Sequence, residues 1–254
     1  MEVQFLGSSI GCVSPYQFLS SFIINETVAI DAGAIGLISP PEHQKRIRHV
    51  VLTHSHIDHI ASLPLFLDNV YDPNTDCVSV YAGKDLQECL QRDVFNDRLW
   101  PDLVRMSDGG TPFVSFKTLF DRQPICVSDL RITPVEVDHV VPCFGFVIED
   151  QSSAVAIVTD TGPTEQIWQA ANTIESLKAV FLEASFPNSF SWLAEKSKHL
   201  TSQQFGVEVA KLSRDVAVIA IHLKPEFHDQ VLEELNTLGL PSFAVVEPGR
   251  VYEF

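Results

Sequence analysis

Short apolar runs alternate with polar turns along most of the chain, and their length suits strands. Val3–Leu6, Phe18–Ile24 and Val28–Ile30 read as strands, the last two joined by the turn Asn25-Glu26-Thr27. Pro41–Ile47 reads as a short helix leading into the run Val50-Val51-Leu52. Pro64 fits the first turn of the next helix, with Ser62 or Leu63 just outside it and Leu65, Phe66 and Val70 directed at the sheet. A strand at Val78–Tyr81 and a helix over Lys84–Val94 follow, then an irregular loop through residues 95–112 that either borders a site or is an ordinary surface excursion.

The second half resumes with strands at Val114–Lys117, Ile125–Val127 and Arg131–Val137, and a hairpin of Cys143–Ile148 with Ala154–Val158. Thr164–Ile174 is helical, with Ile167, Trp168 and Ala171 on one face, and Ala179–Leu182 is a buried strand. A helix over Gln203–Leu212, capped by Thr201 or Ser202, precedes a strand at Val216–Ile221 and a helix over Glu226–Leu238. Phe243–Val246 and Val251–Phe254 close the sheet. No repeat, low-complexity tract or linker interrupts the alternation. The expectation is one α/β domain, residues 1–254, built of two sheets covered by helices.

Composition narrows the partners. At 45% hydrophobic and 20% charged residues the chain can bury a core, and 17 Lys+Arg against 33 Asp+Glu give −16. That balance argues against a long nucleic-acid footprint, which needs basic stripes, and leaves a small substrate as the expected partner. Met1–Gly7 has no basic segment ahead of a long apolar one, and no run approaches the length of a membrane span, so a cytoplasmic protein without a membrane partner is expected. The five cysteines, Cys12, Cys77, Cys89, Cys126 and Cys143, are odd in number and form no Cys-x-x-Cys, as expected of reduced, mostly buried thiols. No pattern sets the oligomeric state, and a homodimer stays open.

The chemistry is concentrated where strands end. Thr53-His54-Ser55-His56-Ile57-Asp58-His59 places four metal-competent side chains, His54, His56, Asp58 and His59, within six residues directly after an apolar strand. In extended backbone His54 and His56 point to the same side and can reach one cation. Asp58 and His59 follow where the chain turns and can diverge toward a second. Two metals roughly 3.5–4 Å apart are the usual arrangement for displacement at phosphorus. Further apolar strands end in His139, Asp160, Glu183 and His222. Taken singly, each has a plain structural role; taken together, their strand ends converge on one site.

These residues resemble the metallo-β-lactamase superfamily, whose signature His-x-His-x-Asp-His is met by His54, His56, Asp58 and His59. His139, Asp160 and His222 look like its later ligands, and Asp31-Ala32-Gly33 resembles its Asp-x-Gly turn. The resemblance implies a four-layer αββα sandwich. It implies one metal on His54, His56 and His139, another on Asp58, His59 and His222, and Asp160 bridging both. Leu182-Glu183-Ala184-Ser185-Phe186 and His199-Leu200-Thr201 look like segments of ribonuclease Z and the class II cyclic-nucleotide phosphodiesterases. Asp160–Thr164, Phe186-Pro187-Asn188 and Ile221–Pro225 look more particularly like the latter. The loop Gly7-Ser8-Ser9-Ile10-Gly11 is poorer in glycine than the family's usual turn.

The resemblance implies hydrolysis of 3′,5′-cyclic nucleotides such as cAMP or cGMP, with two divalent cations activating a shared water; zinc is the expected metal, manganese and iron the alternatives. His199 would be the general acid or phosphate clamp, Glu183 would orient its imidazole, and Asp58 would add to ligation a hold on the nucleophile's proton. The alternatives are a ribonuclease Z-like nuclease, a thioester or lactam hydrolase, and a metal-dependent sensor without turnover. The first would need a basic arm for transfer RNA, and the hydrolases have no use for a Glu183–His199 pair.

Overall fold

Runs of three to eight residues rich in Val, Ile and Phe are too short for stable helices and pair as strands. The computed structural model describes residues 1–8, 14–107 and 111–254. Its first half supplies β1 (Glu2–Phe5), β2 (Phe22–Ile24), β3 (Val28–Ile30), β4 (His49–Val51), β5 (Val78–Ala82) and β6 (Val114–Thr118). The second half supplies β7 (Ile125–Val127), β8 (Leu130–Val137), β9 (Cys143–Glu149), β10 (Ala154–Val158), β11 (Leu177–Glu183), β12 (Ala217–Ile221), β13 (Phe243–Val245) and β14 (Val251–Glu253).

One sheet runs β14-β1-β2-β3-β4-β5-β6 and the other β13-β12-β11-β10-β9-β8-β7. Each half makes the same moves. An antiparallel meander, β1 to β3 or β8 to β10, leads into parallel strands, β4 to β6 or β11 to β13. The two halves are alike in topology although the sequence carries no visible repeat. The final two strands close different sheets, β13 beside β12 and β14 beside β1.

The parallel crossovers carry α1 (Ile57–Ile60), α2 (Leu63–Val70), α3 (Lys84–Cys89), α4 (Leu103–Met106), α5 (Gln166–Asn172), α6 (Ser191–Ser197), α7 (Ser202–Val209) and α8 (His228–Asn236). Strand alternation sorts the apolar side chains into three layers. Phe22, Ile30 and Val51 meet Phe146, Ile157 and Phe181 between the sheets. Ala29 and Val50 point outward beneath Phe66 and Leu67 of α2, and Val180 and Ala220 point outward beneath Trp168, Phe205 and Val231. The result is an α/β sandwich of four layers, αββα.

Several expectations shift. Only residues 22–24 of the expected strand at Phe18–Ile24 pair, because the preceding residues spend their backbone groups elsewhere: Ser20 N–H donates to the Asp58 carbonyl at 2.9 Å. Leu65 faces solvent while Leu63, Phe66, Leu67 and Val70 are buried, the face that a step of about 100° per residue selects. Helix α6 was not expected, and the helix over Lys84–Val94 widens into a π turn at Leu90–Val94. Cys143 is buried, but Cys77 and Cys89 are half-buried and Cys126 is exposed, so the thiols among the described residues are not mostly buried. His228 is buried with its ring against Tyr16. Ser9, Ile10 and Gly11 of the first loop, Cys12, and Asp108-Gly109-Gly110 of the 95–112 loop lie outside the described residues.

Candidate metal centre

Parallel strands deliver their C-terminal ends to one edge, and the polar residues just beyond those ends are forced together there. Asp31 follows β3, Thr53 and His54 follow β4, His139 follows β8, Asp160 follows β10, Glu183 ends β11 and His222 follows β12. The chain turns into α1 immediately after His56, so Asp58 and His59 reach the site from a helix, with the His59 ring 4.2 Å from that of His54 between centroids. The first expected group is assembled: one donor atom each from His54, His56, His139 and Asp160 lie within 4.8 Å of one another. So is the second, from Asp58, His59 and His222.

Asp160 stands between them. Its Oδ2 lies 3.6 Å from His54 Nε2 and 3.8 Å from His139 Nε2. Its Oδ1 lies 3.1 Å from His59 Nε2 and 3.5 Å from His222 Nε2. Asp58 Oδ2 is 3.2 Å from His222 Nε2 and 3.8 Å from His59 Nε2. Among the described residues, His54 Nε2, His59 Nε2 and Asp160 Oδ1 are buried with no hydrogen-bond partner. Buried polar atoms left unpaired cost about 1–3 kcal/mol each, a cost that cations held by the two groups would remove. The imidazole and carboxylate donor set fits a divalent metal.

Four of the five candidate metal-binding imidazoles are fixed through Nδ1, as metal-binding histidines usually are, whereas His56 Nδ1 meets His139 Nε2 at 3.2 Å. His59 Nδ1 bonds Asp31 Oδ2 at 2.6 Å, and His139 Nδ1 bonds the Lys198 carbonyl at 3.0 Å. Hydroxyls serve the other two. Thr53 Oγ1 donates to Asp31 at 2.9 Å and lies 3.0 Å from His54 Nδ1, and Ser185 Oγ donates to Glu183 Oε2 at 2.6 Å and lies 2.9 Å from His222 Nδ1.

Glu183 and His199 form the expected pair at the rim of this cluster. Glu183 is fully buried; its Oε1 meets His199 Nδ1 at 2.9 Å and accepts the Thr161 N–H, and its Oε2 accepts the Leu200 N–H at 3.1 Å. His199 Nε2 is thereby aimed at Asp160 Oδ2, 3.9 Å away. The left-handed residue Lys198 ends α6 and turns the chain so that His199 enters the site.

Burial lowers the proton affinity of His54, His56 and His139, with neighbouring imidazoles reinforcing it and Asp160 opposing it, so the three favour the neutral, metal-binding form. Burial alone would raise Asp160 and Asp58. The charges of His222 and His59 outweigh it at Asp160, and the His222 hydrogen bond with the same two charges outweighs it at Asp58, so both stay carboxylates. Burial would lower His59 and His199, but Asp160 and Asp31 raise the first well above its ordinary value, and Glu183, then Asp160, raise the second.

Sequence reasoning assigned no role to Thr53, Ser185 or the Lys198 carbonyl. For Thr53 a signal exists, a hydroxyl residue adjoining the candidate ligand His54; Ser185, flanked by Ala184 and Phe186, and the Lys198 carbonyl, which depends on α6, have none.

A family model described as a beta-lactamase superfamily domain matches residues 28–223. The chain is 24% identical over 249 residues to a probable 3′,5′-cyclic-nucleotide phosphodiesterase of Yersinia pestis, covering 83% of this chain and 69% of that protein. It is 27% identical over 198 residues to the ribonuclease Z of Lacticaseibacillus casei strain BL23, covering 68% of this chain and 58% of that protein. The chain thus spans little more than half of that ribonuclease Z. Among solved structures, unliganded yeast PDE1 superposes with a TM-score of 0.78 at 18% identity over 98% of both chains, a likeness of fold.

Proposed function

The chain belongs to the beta-lactamase superfamily, and from that premise we propose that it is a dinuclear metal-dependent phosphodiesterase acting on 3′,5′-cyclic nucleotides. His54, His56 and His139 would hold one divalent cation, and Asp58, His59 and His222 the other, with Asp160 shared between them. When bound, such a pair lowers the pKa of a water and polarises a phosphoryl oxygen. Zinc suits the donor set, as do manganese and iron.

The observation that carries the phosphodiester reading is the Glu183–His199 pair, 2.9 Å apart and aimed into the cluster. Glu183 and Asp160 keep the His199 imidazole protonated to higher pH than a free histidine, so Nε2–H can pass its proton to the departing ribose oxygen. Asp58, partly exposed beside His222, is placed to hold the proton of the attacking water. Lys224 Nζ, 4.0 Å from Asp58 Oδ2, adds positive charge where a phosphate would sit. A net charge of −16 favours a compact substrate over a nucleic acid, and no described helix is long and apolar enough to cross a membrane.

The test is a panel assay of the metal-reconstituted protein against cyclic AMP, cyclic GMP, bis(p-nitrophenyl) phosphate, a thioester and a lactam. Turnover of the phosphodiesters is expected; turnover of the thioester or lactam alone overturns the proposal. The 27% identity to a ribonuclease Z supports a second reading, a nuclease. Cleavage of precursor transfer RNA with no turnover of cyclic nucleotides would select it.

A further inference from the structure

Gln17 lies between β1 and β2, in the described stretch 14–21, which joins neither sheet. Its side chain is only 7% exposed. Oε1 accepts the peptide N–H of His222 at 2.5 Å, a link across 205 residues of sequence, while Nε2 is buried without a partner among the described residues. His222 has φ of 57°, the left-handed region, which a residue with a Cβ keeps only where its surroundings hold it. Two groups supply that hold: Gln17 fixes the peptide and Ser185 the ring, through Nδ1 at 2.9 Å. Gln17, Phe18, Ser20, Asp58, Ile221 and His222 also border a cavity of about 10 Å³, little more than the room of one water.

We infer that Gln17 is a positioning residue for the Asp58, His59 and His222 side of the centre. By holding His222 left-handed it keeps Nε2 within 3.2 Å of Asp58 and 3.5 Å of Asp160. Among the described residues Gln17 has no hydrogen bond to His54, His56 or His139. The metal half of this inference rests on the two-cation reading above; the backbone half does not.

Two variants separate the acceptor from the bulk. Gln17→Met keeps length and volume and removes the acceptor, whereas Gln17→Glu keeps an acceptor for the His222 N–H. In metal-free protein, hydrogen exchange at the His222 amide is expected to be at least about tenfold faster in Gln17→Met, with Gln17→Glu at the wild-type rate and the Tm of each variant confirming a folded chain. In cobalt titrations followed by absorption, the wild type takes up two equivalents. Gln17→Met binds the first as tightly and the second about 10–100-fold more weakly, and Gln17→Glu restores the second. Unchanged exchange, an unchanged second equivalent, or equal weakening of both equivalents in Gln17→Met overturns the inference. A wild type that binds only one equivalent sinks the two-cation reading instead, and the exchange rates still decide whether Gln17 holds His222.

Discussion

His199 meets Glu183 and Ser185 through Nδ1 and stacks on the His222 ring; with Asp160 and His222 it forms a third cluster of donor atoms within 4.8 Å of one another, but it belongs to neither of the two groups proposed to hold cations. His199→Ala is therefore expected to retain metal in full and to lose about 10²–10⁴ in kcat, the usual worth of a general acid; metal analysis beside steady-state kinetics checks both halves. The partner gives a pH signature. Glu183 raises the pKa of His199 by charge and hydrogen bond, and an acid works only while protonated, so activity should fall as pH rises through that pKa. Glu183→Gln removes the charge, lowers the pKa, and should move the alkaline limb of the kcat profile to lower pH. An unmoved limb would mean that His199 is not the titrating acid. His199 and Glu183 were legible in sequence because each sits in a recognisable segment. Thr53 and Ser185 were not, since a hydroxyl beside a ligand is commonplace, Ser185 adjoins no ligand in sequence, and only coordinates show which imidazole each meets.

The turn after β3 illustrates how elements fix the site. Asp31 holds His59 through its side chain, and the Ala32 N–H bonds the His59 carbonyl at 2.7 Å, so this turn clasps α1 at the residues that supply Asp58 and His59. Gly33 is required by close approach: a Cβ there would overlap the Asp58 carbonyl and stand 2.7 Å from the Ser20 carbonyl. Gly33→Ala should cost about 1–3 kcal/mol in urea denaturation, the range for overpacking, and should weaken metal binding because Asp58 must move. Wild-type stability and metal affinity would show that the turn yields without cost. The Asp-x-Gly spacing was visible in the sequence. Helix α6 was not, because Ser191–Ser197 follows a short 3-10 turn and lacks the long periodic face by which helices are read.

For the whole molecule, the candidate ligands are divided between the halves: His54, His56, Asp58 and His59 come from the first, His139, Asp160 and His222 from the second. A cation bound among them ties the two sheets together in the folded state and has no such site in the unfolded chain. Chelation should abolish turnover and lower the Tm, with both restored by adding the metal back. At free metal 100-fold above its Kd the stabilisation is about 2.7 kcal/mol per site. A Tm indifferent to chelation and reconstitution would argue against a cation bridging the halves.

Local sequence determined most of the elements and the candidate ligands, because strand periodicity, the His-x-His-x-Asp-His spacing and the polar residues at strand ends are local properties. Tertiary structure decided what depends on distant pairing. It sent β13 and β14 to different sheets, made Asp160 face both histidine groups, aimed Lys198 at His139 through a backbone carbonyl, and brought Gln17 to the peptide of His222 across 205 residues. A main-chain acceptor or a buried amide has no signature in its own neighbourhood, since its partner is chosen by how the two sheets pack.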